Sequence, residues 1–426
     1  MGLSAGKIAQ VMFEKAKETF EYPMQMVDLV SLDTPNAEDM VNADNVIWYP
    51  IQQSRPDLTG FDLTGQEQGI IEETYPAVLG DPHGDLTKQR ADKMRTLRFW
   101  ERAGEASGRT QGTVLNKAIS DAIITQGSLF YRSNVTSGYE FIAEAQAIMN
   151  ERQAHHTQRC FILNDRDQLT FSKDLAARQT LQGRPENDAW SKGQIGSNVA
   201  EFDVFTGSFL SNITGGADPG RTITGNQSFA PSGGSVNATT KVVTNVDYRE
   251  ASLVVSSSTS LSVGDKFQLE NSAVAVQSVG LGDKTASNQP MTFTIIEITD
   301  STHIKVFPKP IAPDDTALTT LEAAYNNINT QILASATLTR LNTDASKKAN
   351  IFFDKSAIEV IGGTIPAELF QEFDGMKVIH DTMSNGLEMY MIYDGNMIEM
   401  NFRYRLFVWY GITVCNPSNC GVAVSY

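Results

Sequence analysis

The chain has 426 residues, 41% hydrophobic and 20% charged, with 50 acidic against 34 basic side chains for a formal charge of −16. That length exceeds one ordinary core and predicts two or three domains, while the composition excludes wholesale disorder. The acidic balance argues against tight general nucleic-acid binding, which relies on Lys and Arg displacing phosphate counterions.

No apolar run approaches the roughly 18 residues of a membrane span, so no membrane association is expected. No basic, then apolar N-terminal leader is visible, so residence in a cytoplasm is the default. Cys160, Cys415 and Cys420, without a Cys-x-x-Cys, read as reduced structural thiols.

Residues 5–20 carry Ile8, Met12, Phe13, Ala16 and Phe20 at helical spacing. A helix packed on its own domain and an arm docked on another chain are equal readings of that leader. Asn45 to Ile51 reads as a strand ended by Pro50; Pro56 follows, and a second β-prone run returns at Ile70–Leu79. A two-stranded excursion of that length buries too little apolar surface to stand alone, so something outside it, most simply a neighbouring subunit, holds it.

Residues 85–127 read as helix-rich, heavily charged at first and interrupted by Gly104, Gly108 and Gly112. Tyr139–Gln153 reads as a helix and Arg159–Leu163 as a buried strand, with Asn164-Asp165 capping a helix that begins near Arg166. From residue 207 the chain turns rich in Gly, Ser, Thr and Asn, with short strands at 251–256, 266–269, 273–278, 291–298 and 303–307. Thr299-Asp300-Ser301 reads as a hairpin turn, and the whole as a small barrel or sandwich. Helix is expected again over 319–341, and buried strands after Ile351. An all-β domain over roughly 221–340 therefore reads as inserted into an α+β one. Within it, 231–247 has few large apolar residues and reads as an exposed loop.

No catalytic constellation emerges. His155-His156 and Cys160 form the best metal-like cluster, but adjacent helical histidines point about 100° apart. Gly-x-Ser-x-Gly and the Walker loop are both absent from the sequence. No enzyme, cofactor or metal is expected.

Asn45-x-Ile47-Trp48-x-Pro50, Gln53 and Pro56, followed by Gly60-x-Asp62-Leu63-Thr64, resemble the major capsid (coat) proteins of short-tailed double-stranded DNA phages. So do Val263-Gly264-Asp265-Lys266-Phe267, Asp300-Ser301-Thr302-His303-Ile304, Pro308-Lys309-Pro310-Ile311-Ala312-Pro313-Asp314-Asp315, Ala324–Thr330 and Trp409-Tyr410-Gly411, in the same order. Ser301 stands where that family usually has Gly.

The resemblance implies an α+β chain with the tailed-phage and herpesvirus major capsid fold. Its parts would be an N-terminal arm (1–44), an E-loop (45–80), and a P-domain with spine helix plus the first part of the A-domain (81–220). An inserted immunoglobulin-like barrel, the I-domain, would follow (221–340, with a D-loop at about 231–247), then the remainder of the A- and P-domains (341–426). It implies a self-assembling icosahedral shell of hexamers and pentamers, built in the host cytoplasm as a procapsid with a scaffolding protein and a portal protein. That shell would enclose double-stranded DNA without sequence-specific binding. Expected subunit contacts are Trp48, Arg55, Asp57, Phe61 and Asp62 on the E-loop, and Asn237, Lys241, Asn245 and Asp247 on the D-loop. The alternative is an adhesin or decoration-type binding protein that uses the inserted β-domain.

Overall fold

Two units emerge from the packing of this computed structural model: Met1–Ile47, Ala77–Ile119 and Ile358–Thr413 form the first, and Trp48–Pro76, Ser120–Ala357 and Val414–Tyr426 the second. The structure describes all residues except 1–4, 22–25, 36–39, 41–43, 52–59, 63, 65–70, 72, 91–95, 134–137, 155, 179–193, 232–234, 237–238, 241–242, 344–346, 367–375, 397, 399 and 426.

In the first unit, helix α1 (Ala5–Glu21) buries Ile8, Ala9, Met12, Phe13, Ala16 and Phe20 within its own unit. At about 1.5–3 kcal/mol for each large side chain, that packing decides between the two readings of the leader in favour of the inward one. Helix α2 (Leu97–Gln126) is one unbroken run of 30 residues, not the interrupted helix its glycines suggested. The glycines serve the contact with α1. A methyl added at Gly104 would fall on the Met12 carbonyl, and one at Gly108 on that of Ala16.

Trp100 on α2 is fully buried and meets Phe402 and Tyr404 edge-on, each at 5.8 Å between ring centres. Those rings belong to a four-stranded antiparallel sheet in the order Lys377–Thr382, Glu388–Asn396, Asn401–Val408, His83–Arg90. The last strand replaces the helix expected at its position. It is an edge strand whose outward side chains (Leu86, Lys88, Arg90) are exposed, so its period of two is masked by polar residues on both faces.

The second unit contains a six-stranded sheet in the order Leu129–Ser133, Cys420–Ser425, Asn350–Asp354, Arg159–Leu163, Phe202–Thr206, Gln194–Val199. Asn350–Asp354 thus pairs with strands from much earlier and later in the chain. Helices α3 (Gly138–Glu151) and α4 (Asp165–Arg178) contribute Phe141, Ile142, Ala145, Met149 and Phe171 to its core, where Phe161 and Phe352 stack at 6.0 Å. Asn164 caps α4 by accepting from the Arg166 and Asp167 amides, both at 3.0 Å.

Residues 221–340 form a second, antiparallel sheet with an apolar cluster of its own, including Leu253, Phe267, Phe293, Ile304 and Leu338. Its ends meet: Ile223 bridges Val255, Thr224 N donates to Val254 O at 2.8 Å, and Ser256 N to Thr222 O at 2.7 Å. The sheet is therefore closed into a barrel. The helix expected over 319–341 shrinks to one capped turn, Thr320–Ala323. Asparagines end it by bonding to the barrel instead: Asn327 donates to Lys309 O at 2.7 Å, and Asn329 accepts from Gln277 N at 2.8 Å.

The Gly264-Asp265-Lys266 run is a junction. Gly264 adopts a φ of +91°, a conformation that disfavours side chains. Asp265 forms a buried pair with Arg340. Lys266, fully buried, donates to Thr294 Oγ1 at 2.9 Å, Gly127 O at 2.5 Å and Thr125 O at 3.3 Å, the carbonyls at the C-terminal end of α2.

Gly104→Ala and Gly108→Ala are expected to destabilise the chain. Alanine favours an isolated helix by about 1 kcal/mol over glycine, but overpacking against fixed backbone costs about 1–3 kcal/mol. Gly395→Ala, with nothing within 4 Å of the new methyl, serves as the control. Urea unfolding checks this, and equal midpoints for all three variants would refute the close approach of α1 and α2.

Candidate interface site at the roots of two loops

Pro50 ends the outgoing strand Val46–Pro50, which pairs with the return strand Thr74–Val78. Ile51 N donates to Glu73 O at 2.9 Å and closes the base of the excursion. Trp48 sits half-buried in the outgoing strand. Phe61 is fully exposed and Asp62 is exposed, its carboxylate accepting from Thr64 N at 3.0 Å; the Thr64 side chain first, and then this amide, lower its pKa. Arg55 and Asp57 lie outside the described residues.

The second loop differs from the irregular segment expected. Ser235–Val236 pairs antiparallel with Val243–Thr244, making a short ribbon. Asn237 and Lys241 lie outside the described residues, and Asn245 is half-buried. Asp247, expected to face a neighbour, is instead engaged inside its own chain. Its two oxygens take Arg249 Nε at 2.9 Å and Nη2 at 2.7 Å, with the side chain 14% exposed. A residue two positions from an arginine, at the foot of a ribbon, is well placed for this fork, and that local chelate outcompetes an outward pose.

Arg249 is the centre of the site. Besides Asp247, it donates through Nη1 to the Val414 carbonyl. Its guanidinium carbon lies 5.0 Å from the ring centre of Phe307 and 5.6 Å from that of Tyr75. Burial alone would lower its pKa, but the bond and charge of Asp247 outweigh it and the pKa is raised. Tyr248 turns the other way: its hydroxyl donates to Cys415 O at 3.0 Å and its amide to Thr74 O at 3.0 Å. Thr74 also donates through Oγ1 to Val246 O at 3.1 Å and forms a parallel bridge with Asp247. The return strand of the first loop is thereby stitched to the foot of the second.

Beside this joint, an open recess is lined by Ile51, Glu73, Tyr248, Lys284, Lys309 and Tyr325. Tyr325 accepts through its hydroxyl from Ile71 N at 3.3 Å. Burial pushes Glu73 up to about 7, with the positive charges of Lys309 and Lys284 pulling the other way. Thr74, Tyr75, Glu73 and Arg249 escaped the sequence reading because their partners are distant in the chain, and Lys309 entered it only as part of a family-like run. Asp247-Tyr248-Arg249 was the local signal available.

His156 lies 3.2 Å from Glu201, Cys160 is buried, and no cluster of three metal-binding side chains occurs among the described residues. No helix among them is long and apolar enough to cross a membrane. What the described residues show is two chain excursions that share a hydrogen-bonded foot, with Phe61 of the first exposed to water.

The sequence matches the family described as P22 coat protein, gene protein 5, over residues 1–425. The chain belongs to the P22 coat protein family. It is a structural capsid subunit, one copy among many in a shell, and its place is the virion capsid. The adhesin alternative finds no support. Among solved structures, the capsid of the cyanophage P-SCSP1u is 9% identical with a TM-score of 0.44, covering 93% of this chain and 86% of that one. The head of Helicobacter pylori bacteriophage KHP40 is 7% identical with a TM-score of 0.41, covering 93% and 86%. The virus-like particle of Pyrococcus furiosus is 6% identical with a TM-score of 0.39, covering 97% and 98%.

Arg249→Met in this coat subunit leaves Asp247 without its counter-charge, and about 3–5 kcal/mol of stability should be lost. The double variant Arg249→Met, Asp247→Leu should recover most of it in urea unfolding of the unassembled chain. No loss on Arg249→Met, or no recovery in the double variant, would remove Arg249 from the centre.

Glu73 has a folded pKa near 7 against an ordinary 4.5. Between those values the folded chain holds a proton that the unfolded chain has released. Its contribution is therefore full below about 4.5, fades as pH rises, and is gone above about 7. Glu73→Gln should flatten the melting temperature across that window relative to the parent. Parallel pH profiles of the two would show Glu73 to be ionised throughout.

Proposed function

We propose that this coat subunit has the tailed-phage capsid fold. The excursion at 45–80 would be its E-loop, 221–340 its inserted I-domain, and the ribbon at about 231–247 its D-loop. In this reading α2 is the spine helix. Subunits close as hexamers and pentamers around a scaffolding protein, in the host cytoplasm, into a procapsid with a portal, later filled with double-stranded DNA.

The observation that carries the reading is the state of the first loop in a single chain. It begins and ends at a hydrogen-bonded base, yet it presents Phe61 wholly to water. In a family whose members are coat subunits, a neighbouring copy is the partner that covers such a ring. Trp48, Arg55, Asp57, Phe61 and Asp62 are then the E-loop contacts, and Asn237, Lys241 and Asn245 those of the D-loop. Asp247 acts as the anchor of the D-loop foot.

The acidic balance suits a wall that encloses DNA without clinging to it, because weak repulsion leaves the packaged polymer free to move. Rigid-body entropy is lost once per joining subunit, so several modest loop contacts accumulate into a stable shell.

Co-expression with the cognate scaffolding protein should yield closed shells in negative-stain images. Phe61→Ser, or removal of residues 52–68, should block closure while leaving the circular dichroism of the unassembled chain unchanged. Normal shells from both variants would take the loop out of the interface, and global unfolding would place it in the core.

A further inference from the structure

We infer that the roots of the two projecting loops form one joint, so that displacement of either loop is transmitted to the other. The joint is made between segments some 170 residues apart in the chain, as the Thr74 Oγ1 to Val246 O bond spans 172 positions. Two hydrogen bonds and a parallel bridge tie Thr74 to 246–248. A second line of contact runs from Tyr49 on the outgoing strand. Its ring lies 6.0 Å from that of Tyr75, over which the Arg249 guanidinium lies at 5.6 Å, and Arg249 grips Asp247 with two bonds.

These contacts are stiff. The guanidinium is a planar fork that cannot follow a moving carboxylate without losing one bond of the pair. It is also held by the Val414 carbonyl and stacked on Phe307, so it cannot travel with Tyr75. A shift of the return strand by about a bond's tolerance therefore either carries Tyr248 and the ribbon foot along or breaks the Thr74 bonds. Packed joints of this kind move between discrete arrangements instead of bending smoothly.

The consequence rests on the reading of both loops as contacts to neighbouring copies. Seating of the first loop then biases the position offered by the second, and the coupling acts equally in the reverse direction. A subunit can in this way sense one neighbour before engaging another.

Amide hydrogen exchange of the unassembled full-length chain tests the joint without requiring shells. Tyr49→Ala removes the ring against Tyr75 on the first loop's ribbon while Thr74, Tyr248 and Arg249 themselves stay unmutated. Exchange at residues 244–249 should rise by about fivefold or more, the lower end of coupling between sites, with Thr292–Ile298 unchanged. Asp247→Asn should reciprocally raise exchange at Thr74–Val78. Tyr49→Leu, a milder change, repeats the first arm if alanine unfolds the ribbon. In a Thr74→Val background the response of 244–249 to either Tyr49 change should shrink. Faster exchange confined to the mutated side in both directions overturns the joint. Shell closure is read separately, so loss of coupling with normal shells, or the converse, tells failure of this inference from failure of the reading on which it rests.

Discussion

The guanidinium of Arg249 is the constraint on which the loop-bearing part of the subunit depends. Four segments far apart in sequence meet on it: Tyr75 from the first loop, Asp247 from the second, Phe307 from the barrel wall and Val414 from the C-terminal stretch. A charge that is 6% exposed would be costly if unpaired, since its desolvation exceeds any single Coulombic contact. Here the cost is met by a bidentate carboxylate, a carbonyl and two ring faces, each with its own directional requirement. Loose collapse cannot satisfy all of them together, so the arrangement specifies position as well as cohesion.

The same device recurs where the barrel meets the α/β sheet of the second unit. Lys266 reaches from the barrel to the last carbonyls of α2, and Arg152, just past the end of α3, donates to Thr292 Oγ1 at 2.9 Å and Pro290 O at 3.2 Å. Both cations are buried, and burial pushes Lys266 down to about 7 and Arg152 down to about 10. Each sits at the negative end of a helix dipole, which partly offsets its desolvation. Apolar cores lie on either side of this junction, around Phe267 with Phe293 and around Phe161 with Phe352. The junction between them is polar and directional, and it fixes the barrel's seat on the sheet.

Elements with an apolar period were legible in the sequence, because burial writes itself into local spacing. The helix at α1, the strand Arg159–Leu163, the Asn164 cap and the hairpin at Asp300 all followed from patterns within a dozen residues. The edge strand His83–Arg90 was lost because neither of its faces is apolar. The helix expected over 319–341 was lost because Asn327 and Asn329 gain more from the barrel backbone than from continuing a turn. The glycines of α2 were read as breaks, whereas their meaning lay in the backbone of α1, some 90 residues away. Order of motifs pointed to the coat family, yet the centre of the site did not emerge. Asp247 was visible as a loop residue, but the arginine two positions on derives its role from Tyr75, Phe307 and Val414, which no local pattern connects.

A shell subunit has to satisfy two opposing demands, and the placement of its polar groups addresses both. Copies carrying a charge of −16 repel one another, but in physiological salt that repulsion fades beyond about 8 Å, so association is decided by short-range contacts. If those contacts were large apolar faces, free subunits would associate in wrong geometries before the right ones formed. In the proposed reading, loops anchored at a shared foot avoid this: among the described residues of the first loop Phe61 is the exposed aromatic ring, while the foot of the second is held by the Asp247–Arg249 fork. Rigidity at the foot keeps the entropy lost on docking small, and modest surface at the tip keeps a wrong contact reversible. In the proposed reading, the buried polar joint is what lets weak contacts add up to a closed wall.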